Sequence, residues 1–247
     1  MSRRCTINLV MTLLAAVVAI GCNKEGGVCF SNSGTVITQQ RLVADFDSIA
    51  LYDNVDLVLS QDSVYQLSVE AGQNVIAGIT TEVTDNKLVI HNRNSCNWLR
   101  SYDKPIRVYV TVKNLSKIHY ESAGNITATR TIYGGQLTIE LWGGCGIIDL
   151  DLNINEGTFI QHMGTADLVL RGQCNISSVY SGDFGKLQLG GLSTGYTFVK
   201  NNGSNDCYVS VSKVLEATIG SIGNIYYTGN PDSVYTVITG EGSVIPY

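Results

Sequence analysis

The sequence predicts an all-β fold, a parallel β-helix or β-solenoid with coils of about 20 residues. A five-residue motif, usually centred on glycine, occurs seven times between residues 122 and 244. The centres of the seven copies are residues 124, 146, 166, 185, 205, 223 and 242, which are 18 to 22 residues apart. Short stretches of alternating apolar and polar residues flank most copies, and helical periodicity is absent after residue 20. Such a period is typical of coils that stack on one another.

Residues 1–21 have the features of a lipoprotein signal peptide. Two arginines precede the apolar run from Leu9 to Ile20, which is too short to span a bilayer. The run ends in Ala19-Ile20-Gly21-Cys22, which resembles the bacterial lipobox. This resemblance implies cleavage before Cys22 and lipid on its thiol and on the new N-terminus. Ordinary signal cleavage, which would leave Cys22 a plain cysteine, is the alternative.

The residues after Cys22 indicate location and a tether. Asn23 stands where an aspartate is typical of retention in the inner membrane, so we expect an outer-membrane lipoprotein. The cell surface and the periplasmic face both stay open. Residues 22–40 are rich in glycine and serine with little periodicity, and they predict a flexible tether. The solenoid domain is expected to span residues 41–247.

The N-terminal part of this domain is predicted to be less regular. Asp53–Leu57 and Thr84–Leu88 look like degenerate copies of the motif, and each leads into a short strand. We expect extra coils between Arg41 and Val112, with an insertion at Asn92–Lys104, and we expect them to close this end of the solenoid.

Each motif predicts a corner between two strands. Ile148–Leu152 after a corner and Leu137–Leu141 before one alternate apolar and polar residues, as a strand with one buried face does. The motif centre is expected to take a left-handed backbone conformation, which glycine and asparagine adopt at low cost. Ala166 is the exception, and Gly164 is expected to take the strained position there. The predicted structural turn residues are Gly124, Gly146, Gly185, Asn205, Gly223 and Gly242.

Charge and cysteine content argue against several kinds of site. Without the two arginines of the signal, the chain has 14 basic and 21 acidic side chains and no basic patch, so nucleic acid is not an expected partner. The seven cysteines form no CxxC pair, and a zinc site is not expected. Cys207 stands where other copies carry Ile, Leu or Val, and it is predicted to be a small core residue. A bridge between Cys29 and Cys96 stays open.

Three carboxylates are a candidate catalytic or metal site. Asp149, Asp151 and Asp167 lie on adjacent predicted coils, and β-helix enzymes that act on acidic polysaccharides use such groups with Ca²⁺ and a basic residue. The first basic residue to follow them is Arg171, and the outer face of a solenoid needs polar residues in any case, so a solvated surface is the preferred interpretation. The sequence contains no known catalytic motif, and we expect no enzyme activity, cofactor or metal.

Tyr120, Trp142 and His162 are a candidate ligand-binding ladder. Each precedes the centre of its motif by four residues, so the three should stack on successive coils. Exposed aromatic rings hold sugar rings by stacking. Ile219 and Ile238 occupy the same place in later copies, which favours an inward, core-filling stack. Both interpretations stay open.

Several segments resemble one bacterial family of unknown function, the auto-transporter adhesins with a head GIN domain. They are Phe46–Ile49, the strand Pro105–Val112, and the Gly-Asn-Ile copies at 124–126 and 223–225. The likeness covers about residues 42 to 245. It implies a β-solenoid, frequently on lipoproteins of Bacteroides-like bacteria, and the family label implies adhesion.

These expectations combine into one main hypothesis about function and one alternative. The main hypothesis is an outer-membrane-anchored, non-enzymatic β-solenoid lipoprotein that serves as an adhesin or as a binding or scaffold protein of the envelope. The alternative is a carbohydrate-binding or polysaccharide-processing module that uses the aromatic ladder. The expected partners are the membrane, through the lipid, and a glycan or protein ligand. Strand edges at the ends of the solenoid leave a homo-oligomer open.

Overall fold

The computed structural model describes residues 32–95 and 104–247, which form one curled β-sheet wound into a solenoid of about six turns. The predicted fold class is confirmed. In chain order the strands of the described residues are β1 Val36–Arg41, β2 Ser48–Asp53, β3 Asp56–Gln61, β4 Gln66–Gly72, β5 Ile79–Thr84, β6 Lys87–Asn92, β7 Arg107–Val112, β8 Lys117–Ser122, β9 Ile126–Ala128, β10 Ile132–Gly144, β11 Ile147–Gln161, β12 Asp167–Ser181, β13 Leu187–Asn201, β14 Cys207–Ile219, β15 Ile225–Thr228, β16 Ser233–Ile238 and β17 Val244–Pro246.

Helical structure is almost absent from these residues. A single 3₁₀ turn spans Ile76–Gly78, and the described part of the chain holds no helix with the length and hydropathy of a membrane span. The predicted signal peptide, the lipidation site Cys22, and Cys29 and Cys96 lie outside the described residues.

The coils stack in parallel register. In the regular part, Ile148 of β11 lies opposite Leu168 of β12, and Phe159 lies opposite Val179, so one turn advances the chain by about 20 residues. The first and second halves of β11 to β14 pair in different parts of the curled sheet, because each long strand bends around the solenoid.

One row of apolar side chains runs through the core along the solenoid axis. It occupies the first strand position after each corner, where period-two alternation turns the side chain inward. Its fully buried members are Leu57, Ile126, Ile148, Leu168, Leu187, Cys207 and Ile225. The prediction that Cys207 is a core residue is confirmed, and burial raises the pKa of its thiol to about 12.

At the N-terminal end the coils do not stack in chain order. Strand β2 lies between β6 and β8, and β3 lies between β7 and β9, all in parallel. The coil β2–β3 is therefore first in the chain but second in the stack. The expected extra coils are present between Arg41 and Val112, in an order that motif spacing does not reveal.

Antiparallel strands close this end of the solenoid. Strand β4 pairs with β7 and with β1, and β5 pairs with β6. Because β1 begins at Val36, residues 36–40 belong to the sheet and not to a flexible tether, and this part of the prediction is wrong. The register of β1 with β4 gives the backbone of β1 the hydrogen-bond partners that a tether lacks.

The other end of the described chain is open. The last layer consists of β17, paired with β15, and β16, paired on one side with β14. In β16, Val234, Tyr235, Val237 and Ile238 are 37–61% exposed, although Val234 and Ile238 continue core rows of the coil before.

The predicted turn residues lie in the corners, but the expected left-handed backbone at the motif centre is wrong. Within the seven motif copies, positive φ angles occur at Gly144 (85°) and Gly164 (98°), which are first positions of their copies. In the two degenerate copies they occur at Asp53 (62°), Asp85 (51°) and Asn86 (61°), and Asn86 is the centre of its copy. The expectation that Gly164 takes the strained position is confirmed. The six predicted turn residues do not have a positive φ.

The glycines at the motif centre are required by the close approach of successive corners. A Cβ atom at Gly146 would overlap the carbonyl oxygen of Gly124 and the hydroxyl of Tyr120. A Cβ atom at Gly242 would likewise overlap the carbonyl oxygen of Gly223. At these glycines the corner therefore lies directly on the backbone of the corner below, and a side chain does not fit between the two.

Buried polar side chains hold several corners from inside. The amide of Asn201, which is fully buried, donates to the carbonyl oxygens of Asn205 (2.9 Å) and Asn224 (3.1 Å), and its oxygen accepts from the Gly203 N–H (3.0 Å). Gln161 donates to the carbonyl oxygen of Ala166 at 3.0 Å. These bonds satisfy corner backbone groups that lie away from water.

Candidate functional site

Tyr120, the first member of the predicted ladder, lies in the core. It is fully buried, and its hydroxyl donates to the carbonyl oxygen of Gly124 (2.7 Å) and accepts from the N–H of Gly146 (2.9 Å). Burial raises the pKa of Tyr120 to about 12. Its role is to join two successive corners, and it is not available to a ligand.

Trp142 and His162 point outward, so the three predicted residues do not form one stack. Tyr120 is in register with Leu141 and Gln161, both of which are buried. The sheet has a register shift between Leu141 and Gly143, which places one extra residue in that corner. Since a slip of one residue turns a side chain to the opposite face, the equal spacing from the motif centre was misleading.

The structure instead shows an aromatic ladder on the outer face that crosses several coils. Trp142 and His162 stack with ring centroids 3.7 Å apart. Tyr52 stacks on His91 at 4.4 Å and contacts His119 at 5.5 Å. The members of this aromatic ladder, in spatial order, are His91, Tyr52, His119, Trp142, His162 and Tyr180. It contains all three histidines of the chain.

Sequence reasoning missed four of these six residues. Tyr52, His91 and His119 each stand next to a buried residue of a strand, and the ladder follows from the register of β2, β6 and β8. Alternation in the sequence places each of them outward, but the sequence does not show which strands are neighbours.

The rings in the centre of the ladder cover one another's faces. Trp142 is within 20° of parallel to His162 and within 25° of parallel to His119, whose centroid is 6.5 Å away. Trp142 is 41% exposed, but His162 covers one face of its ring at a centroid distance of 3.7 Å. A sugar that stacks on an aromatic ring needs an open face, so this geometry favours contact between coils over a sugar platform.

Charged side chains border the ladder. Glu140 accepts from the indole N–H of Trp142 at 3.2 Å and pairs with the Lys117 ammonium at 2.9 Å. Burial opposes ionisation of Glu140, but these two hydrogen bonds together hold its pKa below the ordinary value. Asp53 accepts from the N–H of Asn92 and lies 3.0 Å from Nδ1 of His91. These contacts fix the orientation of the rings.

Two of the three candidate carboxylates are paired with one arginine. The Arg171 guanidinium pairs with Asp149 and, at 3.0 Å, with Asp151, and these hydrogen bonds raise the pKa of Arg171. Asp167 is separate, because it accepts from the backbone N–H of Lys186 in a corner. Among the described residues, no group of three or more His, Cys, Asp or Glu side chains has the arrangement of a metal site. The arrangement is that of a paired, solvated surface.

Comparisons with known proteins give a family and a fold. Residues 45–231 match the family described as "Putative auto-transporter adhesin, head GIN domain". No curated protein matches the chain.

Solved structures share the architecture. A "putative adhesin" from Bacteroides fragilis is 22% identical, with 86% of this chain and 97% of that chain aligned and a TM-score of 0.78. A "putative adhesin" from Parabacteroides distasonis is 19% identical over 87% and 98% of the two chains, with a TM-score of 0.66. A "putative lipid binding protein" from the same species is 16% identical over 87% and 98%, with a TM-score of 0.68. At these identities the likeness shows the fold alone.

Proposed function

Because the chain belongs to the family of auto-transporter adhesins with a head GIN domain, we propose that it is a non-enzymatic adhesin of the bacterial envelope. The observation that carries the proposal is the membership itself, which covers most of the solenoid. The form of the molecule supports it, since stacked parallel coils give a long outer surface on which a partner can be held.

The chemistry of the described surface agrees with a binding role. The candidate carboxylates Asp149 and Asp151 are paired with Arg171. The histidines are packed against the aromatic rings of the ladder. A general base needs a reacting group within hydrogen-bond reach, and neither arrangement offers a nucleophile beside a free base.

Attachment of cells tests the proposal. Cells that produce the protein should adhere to cultured epithelial cells, or to one another, several times more than cells from which its gene is deleted, and the reintroduced gene should restore adherence. Equal adherence of producing and deleted cells would remove the support for an adhesin.

The anchor is part of the proposal. Lipid on Cys22 would hold the protein on the outer membrane, and the sequence Ala19-Ile20-Gly21-Cys22 followed by Asn23 supports this. Nine residues lie between Cys22 and Asn32, the first described residue, and the ten Cα–Cα steps from one to the other reach at most about 35 Å when extended. Since β1 belongs to the capped end, this tether would direct that end towards the membrane and the open end away from it.

Labelling with alkyne-tagged palmitate tests the anchor. The wild-type protein and the control Cys29→Ser should incorporate the label and sediment with membranes, whereas Cys22→Ser should lose both properties. Protease added to whole cells distinguishes the two locations. Protein on the periplasmic face should be protected from cleavage, whereas protein on the cell surface should be cleaved. Labelling of Cys22→Ser at the wild-type level would contradict the assignment.

Carbohydrate binding by Trp142 and His162 is the second candidate, and the exposure of Trp142 is the observation that favours it. Tyr120 drops out of this site because it is buried. Stacking of the neighbouring rings on Trp142 weighs against sugar binding by Trp142 and His162. We therefore assign the aromatic ladder mainly to contact between coils. Glycan binding that disappears in Trp142→Ala would reverse that assignment.

A further inference from the structure

A second aromatic cluster borders a groove on a different part of the surface. The groove has a volume of about 510 Å³ and lies over the first halves of β12, β13 and β14. We call it the tyrosine groove, and its main lining residues are Val169, Arg171, Gln188, Gly191, Tyr208 and Tyr247. In the parallel register Gln188 lies between Val169 and Tyr208, so these three form a row across its floor.

Two glycines leave the space for the groove. The register of β13 with β14 shifts between Leu189 and Ser193, where Gly190 and Gly191 stand. A Cβ atom at Gly191 would lie 2.8 Å from the Arg171 side chain, and one at Gly190 would overlap the hydroxyl of Tyr247. Side chains at these positions would extend into the groove.

Tyr208 presents an aromatic ring at the wall of the groove. Tyr226, on the next coil, stacks on one side of Tyr208 with a centroid distance of 5.0 Å and planes within 9° of parallel. Tyr247 meets both rings edge-on, at 5.7 and 6.1 Å. The other face of Tyr208 lies on the side of Gln188, and it borders the groove. Its neighbours hold the ring rigidly in place.

The polar groups around this face are of mixed sign. The Gln188 amide and the Lys186 ammonium are exposed at the groove. Arg171 is already paired with Asp149 and Asp151, and Asp206 lies on the same rim, so the site carries no excess of positive charge. An anionic ligand would find little unpaired cationic charge here. A flat apolar surface beside hydrogen-bond donors and acceptors matches a neutral sugar ring, and the volume is that of small-molecule sites.

We propose that the tyrosine groove binds a neutral pyranose unit of a glycan, with the C–H face of the sugar on Tyr208 and its hydroxyl groups on Gln188 and Lys186. The proposal rests on the proposed function, because it names the class of ligand that the adhesin would hold. It places that ligand on a different surface from the aromatic ladder.

Titration of the full-length protein in a sugar-free detergent tests this site. The probes are chitotriose, cellotriose, mannotriose and maltotriose, with trigalacturonate as the acidic probe, and calorimetry reports the binding. The variants are Tyr208→Ala and Gln188→Ala in the groove, with Tyr235→Ala on the exposed edge strand β16 as the matched control. The thermal midpoint of each variant is measured alongside. If Tyr208→Ala fails to fold, Gln188→Ala carries the test, because its side chain is exposed.

We expect at least one neutral trisaccharide to bind, with affinity about tenfold or more weaker in Tyr208→Ala, several-fold weaker in Gln188→Ala and unchanged in Tyr235→Ala. Wild-type protein that binds no neutral probe, or groove variants that bind as the wild type does, would overturn the proposal, and so would binding of trigalacturonate alone. The attachment assay is independent. If cells attach but no titration shows binding, the proposal of glycan binding in the tyrosine groove is wrong and the proposal of an adhesin is unaffected. If cells do not attach, the result counts against the proposal of an adhesin.

Discussion

At the scale of single residues, the corners depend on glycine because of distance between coils and not because of backbone conformation. Gly124, Gly146 and Gly242 have ordinary φ angles, yet a Cβ atom at each would overlap the backbone of the corner below. Repeated glycine in a β-solenoid therefore reports two different demands. At Gly144 and Gly164 the backbone is left-handed, and at the motif centre the neighbouring coil is too close.

Gly146→Ala should lower the free energy of unfolding by about 3 kcal/mol, because the added methyl group forces two stacked corners apart. The control is Gly135→Ala, where a Cβ atom would meet no other atom within 4 Å. That substitution should be neutral or slightly stabilising. Urea unfolding of both variants measures the difference, and equal midpoints would contradict the close-approach explanation.

Tyr120→Phe should lower the free energy of unfolding by about 1–3 kcal/mol at neutral pH. The substitution leaves the carbonyl of Gly124 and the N–H of Gly146 without their buried partner. Tyr235→Phe, at a side chain that is 61% exposed, is the control and should be neutral.

Tyr120→Phe also reveals a dependence of stability on pH. Burial raises the pKa of Tyr120 from 10 to about 12, so the folded state holds this proton more tightly than the unfolded state does. The resulting contribution to stability is complete below pH 10 and is lost as the pH rises to 12, by up to about 2–3 kcal/mol. The stability gap between wild type and Tyr120→Phe should therefore narrow above pH 10. A gap that stays constant to pH 11.5 would show that the tyrosine does not titrate as described.

At the scale of elements, aromatic contacts link coils on the outer face as the apolar row does inside. The ladder joins β6, β2, β8, β10 and β12, together with the corner after β11 that carries His162. An open sheet face gains stability from such cross-strand pairs, because each ring packs on the ring of the next strand.

Trp142→Ala should lower the free energy of unfolding by about 2 kcal/mol through loss of the stacked pair with His162 and of the bond to Glu140. Phe198→Ala is a matched control, since Phe198 is also 41% exposed but is not part of the ladder. It should cost about 1 kcal/mol or less. A double-mutant cycle with His162→Ala should give a coupling energy above 0.5 kcal/mol. Independent effects of the two substitutions would remove the ladder's role in stability.

At the scale of the whole molecule, the two ends of the solenoid are built differently. One end has antiparallel strands laid across it, and β2 and β3 near that end have partners on both sides. The other end is a single parallel layer with exposed apolar side chains. In a stack where each coil contacts only its neighbours, removal of an outer layer costs one interface and removal of an inner layer costs two.

Deletion of residues 229–247 should therefore leave a chain that still unfolds cooperatively, with a thermal midpoint lower by several degrees. Deletion of residues 48–61, which removes β2 and β3, should abolish cooperative unfolding. Circular dichroism during heating measures both. Cooperative unfolding of the second variant near the wild-type midpoint would mean that β6–β7 can stack directly on β8–β9.

The fold class was predictable because seven motif copies share one period and one alternation, from Ile126 to Val244. The site was less predictable for three physical reasons. One extra residue in the corner at Trp142 turns that side chain to the outer face, whereas Tyr120 points into the core. Contacts such as Tyr52 on His91 depend on which strands are neighbours, which local pattern does not contain. The space between Tyr208 and Arg171 arises from a shift in register at Gly190 and Gly191.

The position of β2 between β6 and β8 also sets the order in which parts of the chain can settle during synthesis. The hydroxyl of Ser122 donates to the carbonyl of Asp53, 69 residues earlier. At 5–20 residues per second, roughly 3 to 14 s pass between the making of these two partners. Each later coil of about 20 residues needs only about 1 to 4 s of synthesis before it can pair with the coil made just before it. The segment made first thus waits longest with its apolar face uncovered, and any factor that guards nascent chains has its widest opportunity there.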